Sequence, residues 1–346
     1  MINPISNTSI DYNIKSSRLV CTIELPKDPL FFSLVDYLNN YFYSEDPQKI
    51  LEFYESFDDR RSIIQWMKER PDGISRIFEI SNESEIIVVI PTSDFHGKFA
   101  QKCINIFSGF HIIFVESGGR EDYYFNIARN INIGIKKALL YRPKWVIFSG
   151  DDIISIDDID NLRQRLAVIN NKEVGIVFPI PFSNYYSCRN NIYSEKRISA
   201  YLERILSLKF PMFKAMLTLK DYSSRFRVKY FAGLDNLLNR IFYRKIFNFI
   251  DQHTFAIFSA PMLNEFFSLR GYIYNPLYIN NREDAALAID IKNSEWNYET
   301  VKLKLKTLKG GTLSNSMLRG MKGLPSDVLF SAFIEELLNS TRGLIT

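Results

Sequence analysis

Two adjacent aspartates, Asp151 and Asp152, are the residues of this sequence best placed to do chemistry, because they closely follow the short apolar run 144–148. Adjacent carboxylates at the end of a buried strand can hold a hard divalent cation such as Mg²⁺ or Mn²⁺, whose other ligands usually come from substrate phosphates. The plainer alternative is that Asp152 only caps a turn, as Asp157 is expected to cap the next helix. The spacing alone leaves both interpretations open.

Small and acidic residues also follow two apolar runs upstream of this aspartate pair. The run 85–90 ends in Pro-Thr-Ser-Asp at 91–94, and the run 110–115 ends in Glu-Ser-Gly-Gly at 116–119. Because ligands of parallel α/β sheets bind beyond the carboxyl ends of the strands, these segments are expected to share a site with Asp151.

A second acidic pair, Glu283 and Asp284, stands at the start of a predicted helix. Its plainest explanation is a favourable negative charge at a helix N-terminus. A carboxylate in such a position can also act as a general base if it faces a substrate.

The elements that must position these residues alternate between strands and helices. Each predicted strand is a short apolar run rich in β-branched residues, which is typical of strands buried on both faces. The strands are predicted at 85–90, 110–115, 144–148 and 174–178, with helices at about 97–107, 123–140 and 157–168. This alternation predicts an α/β fold with a mostly parallel central sheet flanked by helices.

The chain divides into three predicted parts: an N-terminal accessory segment at 1–83, an α/β domain at 84–290 and a C-terminal extension at 291–346. The accessory segment is expected to hold a strand at 18–25 and a single helix that Asp46 and Pro47 open and that ends before the Pro-Asp-Gly sequence at 71–73. In the extension, Ser326 or Asp327 is expected to cap a helix at 328–338.

Composition narrows the class of protein. The 46% hydrophobic content excludes a disordered chain, and the net charge of +4 is too small to indicate a nucleic-acid-binding protein. Three dispersed cysteines and three histidines argue against a disulfide framework and a histidine-rich metal site. The polar N-terminus lacks the layout of a signal peptide, and no run of about 18 apolar residues predicts a spanning helix. We therefore expect a reduced, cytoplasmic protein.

Residues 85–153 resemble the front half of the family-2 glycosyltransferases, which have the GT-A fold. Four segments occur in the order of that family: Pro91-Thr92, Glu116-Ser117-Gly118-Gly119, Ala128-Arg129-Asn130 with Gly134, and the aspartate motif at 148–153. A fifth segment, Glu283-Asp284, is similar to the acidic pair of the family, and residues 255–272 resemble the acceptor-side segment before it. Residues 84–290 would then be the glycosyltransferase domain.

The resemblance implies a nucleotide-diphosphate sugar as donor, with UDP favoured. It places Pro91, Thr92 and Glu116 near the nucleotide, and it implies that the side chain at Arg129 contacts the nucleotide. A Mn²⁺ or Mg²⁺ ion would bridge Asp151 and the pyrophosphate, and the ribose-side carboxylate of the family is either missing or supplied by Asp152.

For the acceptor side, the resemblance implies an inverting reaction in which Asp284, or failing that Glu283, deprotonates the attacking hydroxyl. That hydroxyl would belong to a glycan, a lipid-linked acceptor or a protein. The sequence departs from the family at two points: Glu116 replaces the usual aspartate, and Ser149 or Gly150 replaces the first aspartate of the Asp-x-Asp motif.

Two alternative functions remain open. A sugar-nucleotide or glycan-binding protein without catalysis would explain the incomplete aspartate motif. A sugar-phosphate nucleotidyltransferase is less favoured, because residues 91–98 lack its glycine-rich loop. The basic and aromatic insertion at about 184–251 is a solvated face, a cradle for an anionic or lipid-phosphate acceptor, or a peripheral contact with an anionic membrane.

Overall fold

The computed structural model describes residues 37–57, 60–70, 75–117, 126–180, 255–279, 282–292, 294–303, 305–307, 321–330 and 332–333. The strand predicted at 18–25, the insertion at 184–251 and residues 118–119 of the acidic-glycine turn lie outside these residues.

Nine strands are assigned within the described residues: β1 (Arg76–Ile80), β2 (Ile86–Thr92), β3 (His111–Glu116), β4 (Trp145–Ser149), β5 (Ile153–Ile156), β6 (Val174–Ile180), β7 (Phe255–Ser259), β8 (Asn297–Lys302) and β9 (Leu305–Thr307). Seven of them form a central sheet in the order β1-β3-β2-β4-β7-β6-β8, and β5 pairs with β9 in a small antiparallel sheet.

The central sheet is mostly parallel, as the sequence predicts. Strand β2 runs parallel to β3 and β4, and β6 runs parallel to β8. Strands β1 and β7 run antiparallel to their neighbours, so five of the seven strands point the same way. The carboxyl ends of β2, β3 and β4 consequently meet at one edge of the sheet.

Among the described residues, seven helices have assigned bounds: α1 (Pro47–Glu55), α2 (Arg60–Glu69), α3 (Lys98–Ile106), α4 (Ile127–Leu139), α5 (Ile159–Val168), α6 (Ala260–Arg270) and α7 (Glu283–Lys292). Asp46, Asn126 and Ser259 cap α1, α4 and α6 through their side chains, as short polar residues do at helix starts. Within the described residues, no helix has the length and apolar character needed to cross a membrane.

Alternate residues of the strands face two separate hydrophobic clusters. Val88 and Ile90 of β2 pack in the cluster that α3 and α5 cover, whereas Ile87 and Val89 pack in the cluster that α4 and α6 cover. This double burial explains why the strands read as continuous apolar runs.

A third hydrophobic cluster joins distant parts of the chain. It contains residues of α1, α2 and α7, together with residues from 277–279, 321–330 and 332–333. The parts before and after the predicted α/β domain therefore pack against each other and against α7.

Four details of the predicted elements are wrong. The single helix expected at 48–70 is two helices. Helix α1 ends with the C-cap residue Ser56, whose backbone N–H donates to the Phe53 carbonyl at 3.2 Å and whose hydroxyl donates to the Glu52 carbonyl at 3.0 Å.

Strand β2 is expected from the sequence to end before Pro91, but it continues through this residue. Only β3 pairs with this part of β2, so the missing proline N–H costs no hydrogen bond to β4.

The two remaining errors concern caps. Asp158, not Asp157, caps α5, because its left-handed backbone (φ 66°) turns its carboxylate toward the Asn161 N–H. Ser326 and Asp327 lie within a helix, where Asp327 N–H bonds to the Gly323 carbonyl at 3.2 Å, and their side chains bond elsewhere.

Candidate active site

Thr92 and Asp151 meet at the carboxyl edge of the central sheet. Thr92 is the last residue of β2 and is 1% exposed, and Asp151 follows β4 by two residues. The Thr92 hydroxyl donates a hydrogen bond to Oδ2 of Asp151 at 2.8 Å. Burial raises the pKa of the Asp151 carboxyl, and the bond from Thr92 partly opposes that shift. Two predicted site residues are therefore in direct contact.

Glu116 lies beside Thr92 because the two residues are register partners on β3 and β2. Its carboxylate accepts a hydrogen bond from the Phe95 backbone N–H at 2.7 Å, and the Arg76 guanidinium is 3.4 Å away. Pro91 pairs with Val115 one step earlier in the same register. This edge thus brings together Pro91, Thr92, Glu116 and Asp151.

Arg129 lies in the first turn of α4, whose start is fixed to the end of β3. The Asn126 side chain accepts the Arg129 backbone N–H at 3.1 Å and so begins the helix. Asn130 donates to the Val115 carbonyl at 3.3 Å and to the Ser117 hydroxyl at 2.7 Å. Arg129 is therefore close in the fold to the strand end that carries Glu116.

Glu283 and Asp284 begin α7, and Tyr274 connects them to β4. Burial raises the pKa of the Tyr274 hydroxyl well above 10.0, and the charges of Asp284 and Glu283 raise it further. Leu287 of α7 packs in the same hydrophobic cluster as Tyr274. The Tyr274 ring packs against Phe148, with centroids 5.8 Å apart. Because Phe148 is the penultimate residue of β4, the acidic pair is linked to the strand that leads to Asp151.

Tyr274 and the residue that holds it, Asn132, were not predicted. Asn132 is 1% exposed, and its side-chain oxygen accepts the backbone N–H groups of Ile273 and Tyr274, both at 2.9 Å. Its side-chain amide donates to the Tyr274 carbonyl. The available signal was an asparagine on the apolar face of α4, where a buried polar group needs partners.

Asp151 and Asp152 are the residues that could hold a cation at this edge. Over the described ranges, no group of three or more His, Cys, Asp and Glu side chains converges as a metal site. Two adjacent carboxylates nevertheless suit Mg²⁺ or Mn²⁺ when a ligand's phosphates complete the coordination. Bound there, the ion would neutralise charge on a diphosphate.

A separate cluster of ionisable side chains lies at the opposite end of the parallel strands, where β3 begins. Glu79 of β1 is buried, and its carboxylate contacts the Lys137 ammonium at 3.1 Å, the His111 ring at 3.3 Å and the Tyr141 hydroxyl. His111 is thus a buried residue whose ring contacts a buried carboxylate. An open cavity of about 440 Å³ lies beside His111 and Tyr141.

No family model matches the chain, and comparisons with characterised proteins and with solved structures find nothing similar. The family resemblance of residues 85–153 and 283–284 therefore stays a prediction that rests on sequence motifs.

Proposed function

We propose that this protein is an inverting glycosyltransferase with a GT-A type fold, which moves a sugar from a nucleotide-diphosphate sugar to a hydroxyl acceptor. The observation that carries the proposal is the 2.8 Å hydrogen bond between Thr92 and Asp151. It joins the carboxyl ends of β2 and β4, which lead to the first and the fourth of the four segments that resemble the family. A UDP-sugar is the favoured donor, and the acceptor is a glycan, a lipid-linked saccharide or a protein.

The donor binds across the carboxyl edge in this proposal. Glu116 and the Pro91-Thr92 end of β2 hold the nucleoside, and Arg129 contacts the nucleotide from α4. Asp151, with Asp152 beside it, faces the diphosphate and would share a Mn²⁺ or Mg²⁺ ion with it. The bond from Thr92 fixes the orientation of the Asp151 carboxylate before the donor arrives.

The acceptor binds next to α7, where Asp284 is the general base and Glu283 the alternative. The Asp284 carboxylate takes the proton of the acceptor hydroxyl as the oxygen attacks the anomeric carbon. The bond between that carbon and the diphosphate oxygen breaks, its electron pair stays with the nucleoside diphosphate, and the configuration inverts. The contact of Tyr274 with Phe148 supports the placement of Asp284 near the donor end of β4.

A second candidate is a sugar-nucleotide-binding protein without transferase activity. The incomplete aspartate motif favours it, because Ser149 or Gly150 replaces the first aspartate and no group of three or more His, Cys, Asp and Glu side chains converges within the described residues. In that case nucleotide binding would not depend on a metal.

The first experiment is a thermal-shift screen of UDP-, GDP- and dTDP-sugars with and without Mn²⁺, followed by release of nucleoside diphosphate from the donor that binds. A bound donor raises the unfolding midpoint by mass action. We expect metal-dependent binding and slow donor hydrolysis in the wild type, and neither in Asp151→Ala. The matched control is Asp157→Ala, which removes a nearby exposed carboxylate.

The acceptor side is tested with Asp284→Asn. We expect nearly normal donor binding and a rate of transfer that falls by about a hundredfold or more, as for the loss of a general base. Equal turnover of this variant and the wild type would remove Asp284 from the mechanism. Equal, metal-independent nucleotide binding by the wild type and Asp151→Ala would favour the binding protein.

A further inference from the structure

The loop that leads to the acidic pair is held by side chains from two distant parts of the chain. The guanidinium group of Arg70, just after α2, donates to the carbonyl oxygens of Pro276 and Leu277, both at 3.2 Å. On the other side, the Ser326 hydroxyl accepts the Ile279 N–H at 2.7 Å and donates to the Ile279 carbonyl at 3.0 Å. Both parts lie outside the predicted α/β domain.

Arg282, the residue immediately before the acidic pair, has an unusual backbone. Its φ of 71° lies in the left-handed region, which a residue with a side chain rarely adopts and which costs conformational energy. The Arg282 carbonyl accepts the Ala286 N–H at 3.0 Å, which is the first helical bond of α7. The backbone of Arg282 therefore sets the direction in which α7, Glu283 and Asp284 begin.

The contacts of the Arg282 side chain offset the conformational energy that its left-handed backbone costs. Its Nε donates to Oδ1 of Asp327 at 2.7 Å, and the Asp327 side chain is 11% exposed. The guanidinium also lies over the Phe330 ring, 5.7 Å from its centroid. Such a partly shielded, charge-assisted bond is stronger than one between neutral groups. The helix around Asp327 is itself held by the two bonds of Ser326 and by the packing of residues 321–333.

We propose that the Arg282–Asp327 ion pair positions the acidic pair, because it holds Arg282 in the left-handed conformation from which Glu283 and Asp284 start. Arg282 and Asp327 are positioning residues, since they act through the backbone of α7. The inference rests on the proposed role of Asp284 as general base. It extends the functional unit to residues 321–330, which sequence motifs alone assign to an extension.

Two substitutions of one residue separate the ion pair from the backbone conformation. Arg282→Ala and Arg282→Gly both lose the side chain, but only glycine adopts a positive φ without cost. We expect the kcat of Arg282→Ala to fall about tenfold with an unchanged KM for the donor, because the alanine variant leaves the left-handed conformation most of the time. Arg282→Gly is expected to stay within about twofold of the wild type.

Asp327→Asn tests the partner of the ion pair without changing Arg282. We expect kcat to fall about tenfold, and the double variant Asp327→Asn/Arg282→Gly to recover most of it, because glycine no longer needs the pair. The matched control is Glu45→Gln, which breaks the 3.2 Å contact with Lys322 in the same C-terminal segment. Its kcat should equal that of the wild type.

The rescue by glycine is what a merely structural role would not produce. A kcat of Arg282→Ala equal to that of the wild type, or an Arg282→Gly as slow as the alanine variant, would overturn the inference. If the wild type turns over no donor, the proposed function fails, and the inference about Arg282 is then tested by the thermal unfolding midpoints of the two variants. A higher midpoint for Arg282→Gly than for Arg282→Ala supports the inference, and equal midpoints overturn it.

Discussion

Replacing Glu79 with glutamine is expected to lower the free energy of unfolding by about 2 kcal/mol at neutral pH, the size of one hydrogen bond to a charged group. The Glu79 carboxylate is 8% exposed and receives Lys137 at 3.1 Å, with the Tyr141 hydroxyl and the His111 ring as further partners. Glutamine keeps the shape but has one acceptor oxygen. Its amide group then faces a donor, and Lys137, 22% exposed, loses its counter-charge.

The loss should depend on pH in a defined direction. Burial raises the pKa of Glu79, but hydrogen bonds from Tyr141 and Lys137 and the charge of Lys137 outweigh it, so the pKa lies below its usual 4.5. A carboxyl whose pKa is lowered by folding stabilises the protein above its unfolded-state pKa. That contribution disappears as the pH falls through the folded-state pKa. The difference between the wild type and Glu79→Gln should therefore shrink below pH 4.5.

The measurement is urea unfolding followed by tryptophan fluorescence, at about pH 7 and about pH 3.5, which lie above and below the unfolded-state pKa. The matched control is Glu85→Gln, which removes an ion pair with Lys144 at 2.9 Å whose side chains are 70% and 57% exposed. Such a surface pair is expected to change stability by about 0.5 kcal/mol at most. Equal losses for the two variants, or a Glu79→Gln loss that is the same at both pH values, would refute the reasoning.

Two further stability predictions concern α4. Gly134→Ala should lower the free energy of unfolding by about 1–3 kcal/mol through overpacking. A Cβ at this position would lie 2.3 Å from Val89 Cγ1 and 3.1 Å from Val115 Cγ2. An unchanged urea midpoint would contradict this prediction. Asn132→Leu should lower the free energy of unfolding by about 2–4 kcal/mol, because it leaves the buried backbone N–H groups of Ile273 and Tyr274 without their acceptor. An unchanged midpoint in the same assay would show that this loop does not depend on α4.

The parts of the fold that the sequence predicts well are those in which burial is the same all along an element. Strands β2, β3, β4 and β6 are covered on both faces, so each appears as an apolar run in the printed sequence. Strands β1 and β8 lie at the two edges of the sheet and mix charged with apolar residues. Their place depends on partners far along the chain, which periodicity does not reveal.

The residues of the candidate site also differ in how well the sequence predicts their positions. Thr92 and Asp151 can be predicted to meet, because both follow strands of a parallel sheet and such strands end at one edge. Tyr274 cannot, since its position depends on Asn132, which lies 142 residues earlier in the chain. The partners of Glu79 are missed for the same reason, as no local pattern joins β1 to α4.

The bond between the Tyr54 hydroxyl and the Met321 carbonyl spans 267 residues within the third hydrophobic cluster. At elongation rates of about 5–20 residues per second, residue 321 leaves the ribosome tens of seconds after residue 54. During that interval Phe53, Trp66 and their aromatic neighbours lack part of their final covering. The nascent chain consequently exposes part of this hydrophobic surface during synthesis, and the central sheet also finishes late, because its last strand, β8, ends at Lys302.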